Sequence, residues 1–403
     1  MIMPSAHGDT DSASLAEPVV IIGGGIGGLT LANALHAIGI RFELYEQAGT
    51  LTEVGAGIGL TRGVMDLYDA IGLGDDMRGH GTPVHYLCLT DRHLKVRRKL
   101  RASSEAVCIH RAALIDVLKS RLPEEHIHLG KKAAAVDSQR HRAEVKFHDG
   151  SAVSSTCVVA ADGIHSAVRQ QLFPEIEVRY IDQTIWRGIT RMEVPDVFAE
   201  SYIEIWGERL RFLTVPYGDS IFWLAVQAAP PGQKDDPLTV KQDLLGLFEG
   251  WHPTLKDLIR NSESLIRNDM ADLGTAPRPW HHNRVVFLGD AIHATTPNLA
   301  QGGCQAIEDA VCLALSLKSF PSDLGRAFET YQRLRQKKVD FVVRTSWNIG
   351  KAAHTRNPLV HHLYRAILER APAGLIRRQE RFLSDLDYLQ EVDPTGIVRS
   401  SAT

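Results

Sequence analysis

The sequence predicts an α/β protein in which a Rossmann-type nucleotide-binding domain is interleaved with an antiparallel-sheet domain and followed by C-terminal helices. Three observations predict it. A glycine-rich strand-turn-helix occupies residues 18–47, a period-two alternation fills residues 182–228, and a second glycine-opened helix follows a buried strand within residues 284–318.

The first stretch starts with Val19 to Ile22, uncharged and mostly β-branched, as a central strand buried on both faces would be. It runs into Gly23-x-Gly25-x-x-Gly28. Leu31, Ala34, Leu35 and Ile38 then share one face of a helix that Gly39 ends, and residues 41–45 start a second strand closed by Glu46. In this arrangement Gly23 permits the turn, Gly25 lets backbone approach a pyrophosphate, and Gly28 lets helix and strand pack closely. The helix N-terminus offers free N–H groups to the phosphates. Glu46 can accept hydrogen bonds from a ribose hydroxyl pair and would repel a 2′-phosphate, which favours FAD or NAD over NADP. Residues 19–40 carry no formal charge, but five glycines in the six positions 23–28 argue against a membrane-spanning helix.

With 403 residues the chain has room for at least two domains. A net charge of −3 gives no reason to expect nucleic acid as a partner. The five cysteines, Cys88, Cys108, Cys157, Cys304 and Cys312, form no CxxC, so neither a zinc site nor a disulfide framework is expected, and a reducing cytoplasm fits. No metal site is predicted. Residues 1–16 are small and polar, lack the basic start and apolar run of a signal peptide, and read as a disordered lead.

Further along, Gly55, Gly57 and Gly59 precede a short helix and serve either a bend or the close passage of backbone along a flat ring. Residues 83–100 read as strands with a solvated basic end at Arg97, Arg98 and Lys99. Arg111 begins a helix, either as a surface arginine or with an anionic or polar partner that offsets the unfavourable dipole. Asp149-Gly150 marks a hairpin turn, and a buried strand ends in Asp162-Gly163, where α/β sheets bind ligands. Trp186, Trp206 and Trp223 lie in the alternating region, lining an apolar cavity or belonging to ordinary core. Residues 238–261 return to helix. The strand 285–288 ends in Gly289-Asp290, and a loop through Pro297 leads to Gly302-Gly303, a second helix N-terminus aimed at a ligand. Residues 324–343 form an amphipathic helix with Arg333, Arg335, Lys337 and Lys338 on a solvated face, and residues 356–391 form a basic terminal helix or a lid.

Together, the GGGIGG turn with Glu46, the segment 160–169 (AADGIHSAVR) and the segment 289–303 (GDAIHATTPNLAQGG) resemble, in order and spacing, the class A flavin-dependent monooxygenases, the family of p-hydroxybenzoate, salicylate and urate hydroxylases. The resemblance covers residues 18–345, and the wording QGGCQAIED at 301–309 is also similar to zeaxanthin epoxidase. It implies an FAD-binding domain at 17–80, 101–178 and 276–345, a substrate-binding sheet domain at 81–100 and 179–275, and a C-terminal helical segment at 346–403.

The resemblance further implies that non-covalent FAD meets Gly23, Gly25 and Gly28 through its pyrophosphate and Glu46 through its adenosine ribose. Arg111 would contact the flavin's ribityl-phosphate side, with the backbone at Gly57 passing close to its ring, Asp162 and Gly163 would serve FAD and the nicotinamide donor, and Asp290 would hold the ribityl chain and pyrophosphate region. Pro297, Gly302 and Gly303 would edge the isoalloxazine ring where reduced flavin meets oxygen. Arg187 would lie near flavin and substrate; the alternating sheet itself is expected to set Trp206 and Trp223 against the substrate cavity. Two departures stand out: Ala300 replaces a glycine usual before Gln301, and Arg62-Gly63 stands where many members have Pro-Asn. The implied reaction is hydroxylation of an aromatic or other electron-rich small molecule by O2 through a flavin C4a-hydroperoxide, with NADPH or NADH as transient donor. Epoxidation of an apolar alkene or a quinolone-type substrate, a flavin oxidase and a non-catalytic FAD-binding protein are the alternatives. His165 and His293 are expected to make local structural hydrogen bonds rather than act as bases.

Overall fold

The computed structural model describes residues 15–51, 57–193, 195, 196, 198–393 and 396. At its centre the fully buried strand Val19–Ile22 runs parallel to Phe42–Tyr45 on one side and to Val158–Ala160 on the other. Val285–Phe287 pairs parallel beyond Val158–Ala160. Ile127–His128 and the antiparallel His281–His282 complete a six-stranded sheet. The β-branched run at 19–22 is explained by this position, since both faces are covered. The helices Ile26–Ala37 and Gly302–Ser319 pack on each other. The second is buried on every side from Cys304 to Leu317, so the apolar stripe read from the sequence is only part of what it hides.

An eight-stranded sheet runs in the order Ile266–Asp272, Arg179–Arg191, Ser220–Ala228, Leu210–Tyr217, Ser201–Trp206, Gly81–Asp91, Val96–His110 and Gly57–Leu60. Its strands pair antiparallel, except that Ser201–Trp206 runs parallel to Gly81–Asp91. The strand Gly57–Leu60 and the whole of Val96–His110 belong to this sheet, whereas the sequence boundaries assign residues 57–60 and 101–110 to the nucleotide-binding domain. The hairpin of Gly81–Asp91 and Val96–His110 continues past residue 100, and Gly57–Leu60 pairs with its far end. Alternation separates two faces. Trp186, Phe212 and Trp223 point to one, under the helices Val240–Leu247 and Pro253–Asn261 with Phe248, Trp251 and Leu255. Two helices thus occupy the span 238–261 read as helical. Leu213, Val215 and Phe222 point to the other face, and Phe222 lies against Gly57. A small three-stranded sheet, Ala133–Ser138, Ala143–Phe147 and Ala152–Ser155, carries the Asp149-Gly150 turn.

The 30-residue helix Leu324–Ala353 packs along Gly302–Ser319, and Pro358–Arg370 and Ala373–Ser384 follow. Of the lead expected at 1–16, residues 1–14 lie outside the described residues, as does Gly55; Leu15 is buried in the main core. No helix among the described residues is long and apolar enough to cross a membrane.

Candidate FAD-binding and active site

Register decides which turns meet. Ile22, Ala160 and Phe287 are cross-strand neighbours at the C-terminal edge of the parallel sheet. The segments that follow, Gly23-Gly25, Asp162-Gly163 and Gly289-Asp290, therefore emerge side by side. Gly23 has φ of +111°, and a Cβ there would come within 2.3 Å of the Ala161 carbonyl oxygen; one on Gly28 would strike the Gly23 carbonyl at 1.9 Å. Only glycine permits this turn and this helix approach. At Gly25 the space is open, as close passage of a ligand requires.

Glu46 closes the neighbouring strand. Its Oε2 accepts the Gly24 N–H at 2.6 Å and its Oε1 the Ala48 N–H at 2.8 Å. Asp162 is deeply set; burial pushes its carboxyl up, and its Oδ1 makes no hydrogen bond within the protein. A buried carboxylate oxygen without a protein donor fits a ligand hydroxyl or amide. Asp290 opens the short helix Asp290–His293 with an exposed side chain, close to Gly302. Gly302 and Gly303 begin the second helix, with Gly303 against Ile58 of the strand that Gly57 starts. Gly57 pairs with His110, so Arg111, at the start of Arg111–Ser120, is drawn to the same edge. The residues present thus fit a dinucleotide, with two helix N-termini and three carboxylates around its path.

Two buried clusters, missed from the sequence, fix this edge. Arg169 donates to the carbonyls of Ala291 (2.8 Å) and Ile164 (2.5 Å), tying the Asp162 turn to the Asp290 turn. Beneath it, Asp309 Oδ2 accepts the Gly289 N–H at 3.1 Å and bonds His293 Nε2 at 2.5 Å, while Oδ1 accepts Arg335 Nε at 2.7 Å. Arg335 also reaches Glu308 at 2.5 Å, and Glu308 accepts from Lys338 (2.8 Å) and from the Tyr388 hydroxyl (2.8 Å). Burial raises the Asp309 carboxyl, but His293 and Arg335 outweigh it and hold it at about 2. Arg335 and Lys338 are therefore buried ion-pair members, not the solvated face expected of that helix; Arg335 has no exposed surface. The signal available in sequence was the adjacent Glu308-Asp309 inside an otherwise apolar helix, which demanded cationic partners. His293 is structural, as expected, and His165 is exposed.

On the facing sheet, Arg187 shares the side of Ile189 and Leu224, opposite Trp186. Trp223 lies behind the sheet, with no exposure, stacked on Phe212 at 5.2 Å and donating to Ser262 at 2.8 Å. It belongs to the core under the helices, which corrects its assignment to the substrate cavity: alternation puts 221, 223 and 225 on the far face. Trp206 is on the near face, against His361 and Tyr364 of Pro358–Arg370. Its cross-strand partner Arg211, 4% exposed, donates to Asn298 Oδ1 at 2.7 Å and pairs with Glu204. Asn298 lies in the Pro297–Leu299 turn, so Arg211 links the sheet to the turn beside Gly302. Two buried donors, Arg211 Nε and Trp206 Nε1, make no hydrogen bond within the protein.

Residues 16–346 match the family model described as "FAD binding domain". The chain is 36% identical over 350 residues to aurachin C monooxygenase/isomerase of Stigmatella aurantiaca, covering 84% of this chain and 90% of that one. It is 28% identical to 2-heptyl-3-hydroxy-4(1H)-quinolone synthase of Pseudomonas aeruginosa, covering 89% and 96%. Among solved structures, Klebsiella pneumoniae HpxO complexed with FAD and uric acid superimposes with a TM-score of 0.84 at 26% identity, over 93% of this chain and 99% of that one. The chain belongs to the FAD-binding-domain family of class A flavin-dependent monooxygenases.

Proposed function

We propose that this protein is an NAD(P)H-dependent FAD monooxygenase that inserts one atom of O2 into an aromatic or other electron-rich small molecule, a quinolone and uric acid being named for two of its relatives. The observation that carries this reading is the convergence of the Gly23, Asp162, Asp290 and Gly302 turns at one sheet edge, facing a sheet that presents Arg187 and Arg211. The overall reaction consumes NAD(P)H, a proton, O2 and substrate and yields NAD(P)+, water and the hydroxylated product. Bound FAD supplies the redox chemistry and the activation of oxygen.

The chain's own residues then have distinct work. The N-terminus of Ile26–Ala37, with Gly23, Gly25 and Gly28, holds the pyrophosphate, and Glu46 holds the adenosine ribose. Asp162, Gly163 and Asp290 receive polar groups along the ribityl side, and Gly57 and Arg111 flank it. Pro297, Gly302 and Gly303 border the reacting ring, where the N-terminus of Gly302–Ser319 favours negative charge. Arg187 lies by the substrate. Trp206 Nε1 and Arg211 Nε both suit an acceptor oxygen of the substrate, such as a ring carbonyl. The reaction needs the cavity dry, and the apolar face of Leu213, Val215 and Phe222 excludes water. All five cysteines are buried and unpaired, which accords with a cytoplasmic setting.

The motif likeness to an epoxidase does not favour epoxidation. Gln305, Glu308 and Asp309 of that motif are spent on Arg335, His293 and Lys338, not on substrate. The reading is tested by anaerobic flavin reduction with NADH and NADPH, with and without phenols, purines, quinolones and polyenes. Faster reduction with one compound class is expected. No reduction by either donor in a folded, flavin-loaded protein would move the assignment to an oxidase or a non-catalytic flavin protein.

A further inference from the structure

The helix Pro358–Arg370 carries Leu359, Leu363 and Ile367 at i, i+4 and i+8, and these are 78%, 64% and 52% exposed. Val360 beside them and Leu375 on the next helix are also exposed. The inner face of the helix is firmly held: His361 and Tyr364 pack on Trp206, and the last carbonyls, those of Leu368 and Ala371, accept from Arg98 at 2.9 and 2.5 Å. A helix so anchored, yet apolar on its outer face, presents that face to something other than its own core.

The charges around it identify the occupant. Arg356, Arg370, Arg377, Arg378 and Arg381 are exposed, and Arg98, reaching the end of the helix from the neighbouring strand, adds a further cation. Residues 356–381 hold six Arg and two Glu, in a chain whose formal net charge is −3. Neither Glu is exposed, and Glu369 pairs with Arg365 at 2.9 Å. An apolar ridge on a segment, 356–381, that carries six arginines and no exposed acid complements an anionic lipid surface. A second copy would bring the same positive rim against itself across a two-fold interface.

We infer that Pro358–Arg370 and the first turns of Ala373–Ser384 dock this protein in the plane of an anionic membrane surface, the leucines entering the headgroup boundary and the arginines meeting phosphates. The docking is independent of the monooxygenase reading. It is tested by flotation of the FAD-loaded protein with phosphatidylcholine vesicles with and without phosphatidylglycerol. Binding to the phosphatidylglycerol vesicles alone, weakened by salt, is expected. The double variant Leu363→Asp/Ile367→Asp is expected to partition roughly tenfold more weakly, as is Arg377→Gln/Arg378→Gln, both with flavin absorbance and circular dichroism unchanged. No binding to either vesicle, or binding unchanged in both variants, overturns the inference. So does a dimer by light scattering that Leu363→Asp/Ile367→Asp splits without any vesicle binding, since a second copy would then cover the face.

Discussion

One helix, Gly302–Ser319, serves two regions of opposite chemistry. Its first turn, Gly302 and Gly303 beside Asp290, borders the cradle where we propose that the nucleotide lies. Two turns on, the helix delivers Glu308 and Asp309 into a sealed ionic cluster with Arg335, Lys338, His293 and Tyr388. The cradle is locally simple, and any one of its turns is weak alone. The cluster is costly to bury and stable only when complete. Asp309 joins them, because the oxygen that bonds His293 also receives the Gly289 N–H that starts the Asp290 turn. The Asp290 turn is thus held from below by buried charges.

The largest effect should come from breaking the cluster. Arg335→Met leaves Glu308 and Asp309 buried without their shared cation and is expected to destabilise by about 3–5 kcal/mol, read from denaturant midpoints. A loss below about 1 kcal/mol would mean the cluster is solvated after all. Next is Asp290→Ala at the cradle: FAD occupancy should fall at least about tenfold while circular dichroism is preserved, the reverse of the Arg335 signature. Full occupancy in that variant would remove Asp290 from the site.

The pH dependence sharpens the contrast. Asp309, held at about 2 against an ordinary 3.8, contributes stability that is fully present above pH 4 and is lost as pH falls through 2. The contribution is about 2 kcal/mol, visible as a drop in denaturant midpoint over that window. Asp309→Asn should start lower and lose less over the same range. Within the facing sheet, Arg187→Ala should keep FAD and stability but lower substrate-coupled turnover by about tenfold. Trp223→Phe should cost about 1–2 kcal/mol of stability and leave kcat/KM alone.

The smallest effect concerns a backbone detail. Ala300 has φ of 52°, left-handed, in the position where the family's usual residue is glycine. Ala300→Gly should stabilise by about 0.5 kcal/mol, the relief of the left-handed strain less the added chain entropy. The other departure has a packing reason: a Cβ at Gly63 would come within 2.6 Å of the Ser384 carbonyl, where Ala373–Ser384 ends.

The nucleotide-binding half of the fold was legible because its signals are local. Strand, glycines, helix and acid follow one another within residues 18–47, and the turns at Asp162 and Asp290 each end a short apolar run. What was not legible depends on long-range pairing. Arg335 and Lys338 read as solvated because nothing within their own helix says that Glu308 and Asp309 lie across from them. Trp223 and Trp206 have similar surroundings in sequence, and only strand register sends one behind the sheet and the other toward Arg211. The entry of residues 57–60 and 101–110 into the larger sheet is likewise set by strand pairing, which composition does not encode.

The most direct measurement is isotope incorporation: the FAD-loaded protein, NADH or NADPH, and a panel of quinolones, purines and phenols under 18O2. One 18O atom in a hydroxylated product, formed in step with donor oxidation, is the result expected of this site. Donor oxidation that gives only hydrogen peroxide with every compound would contradict it.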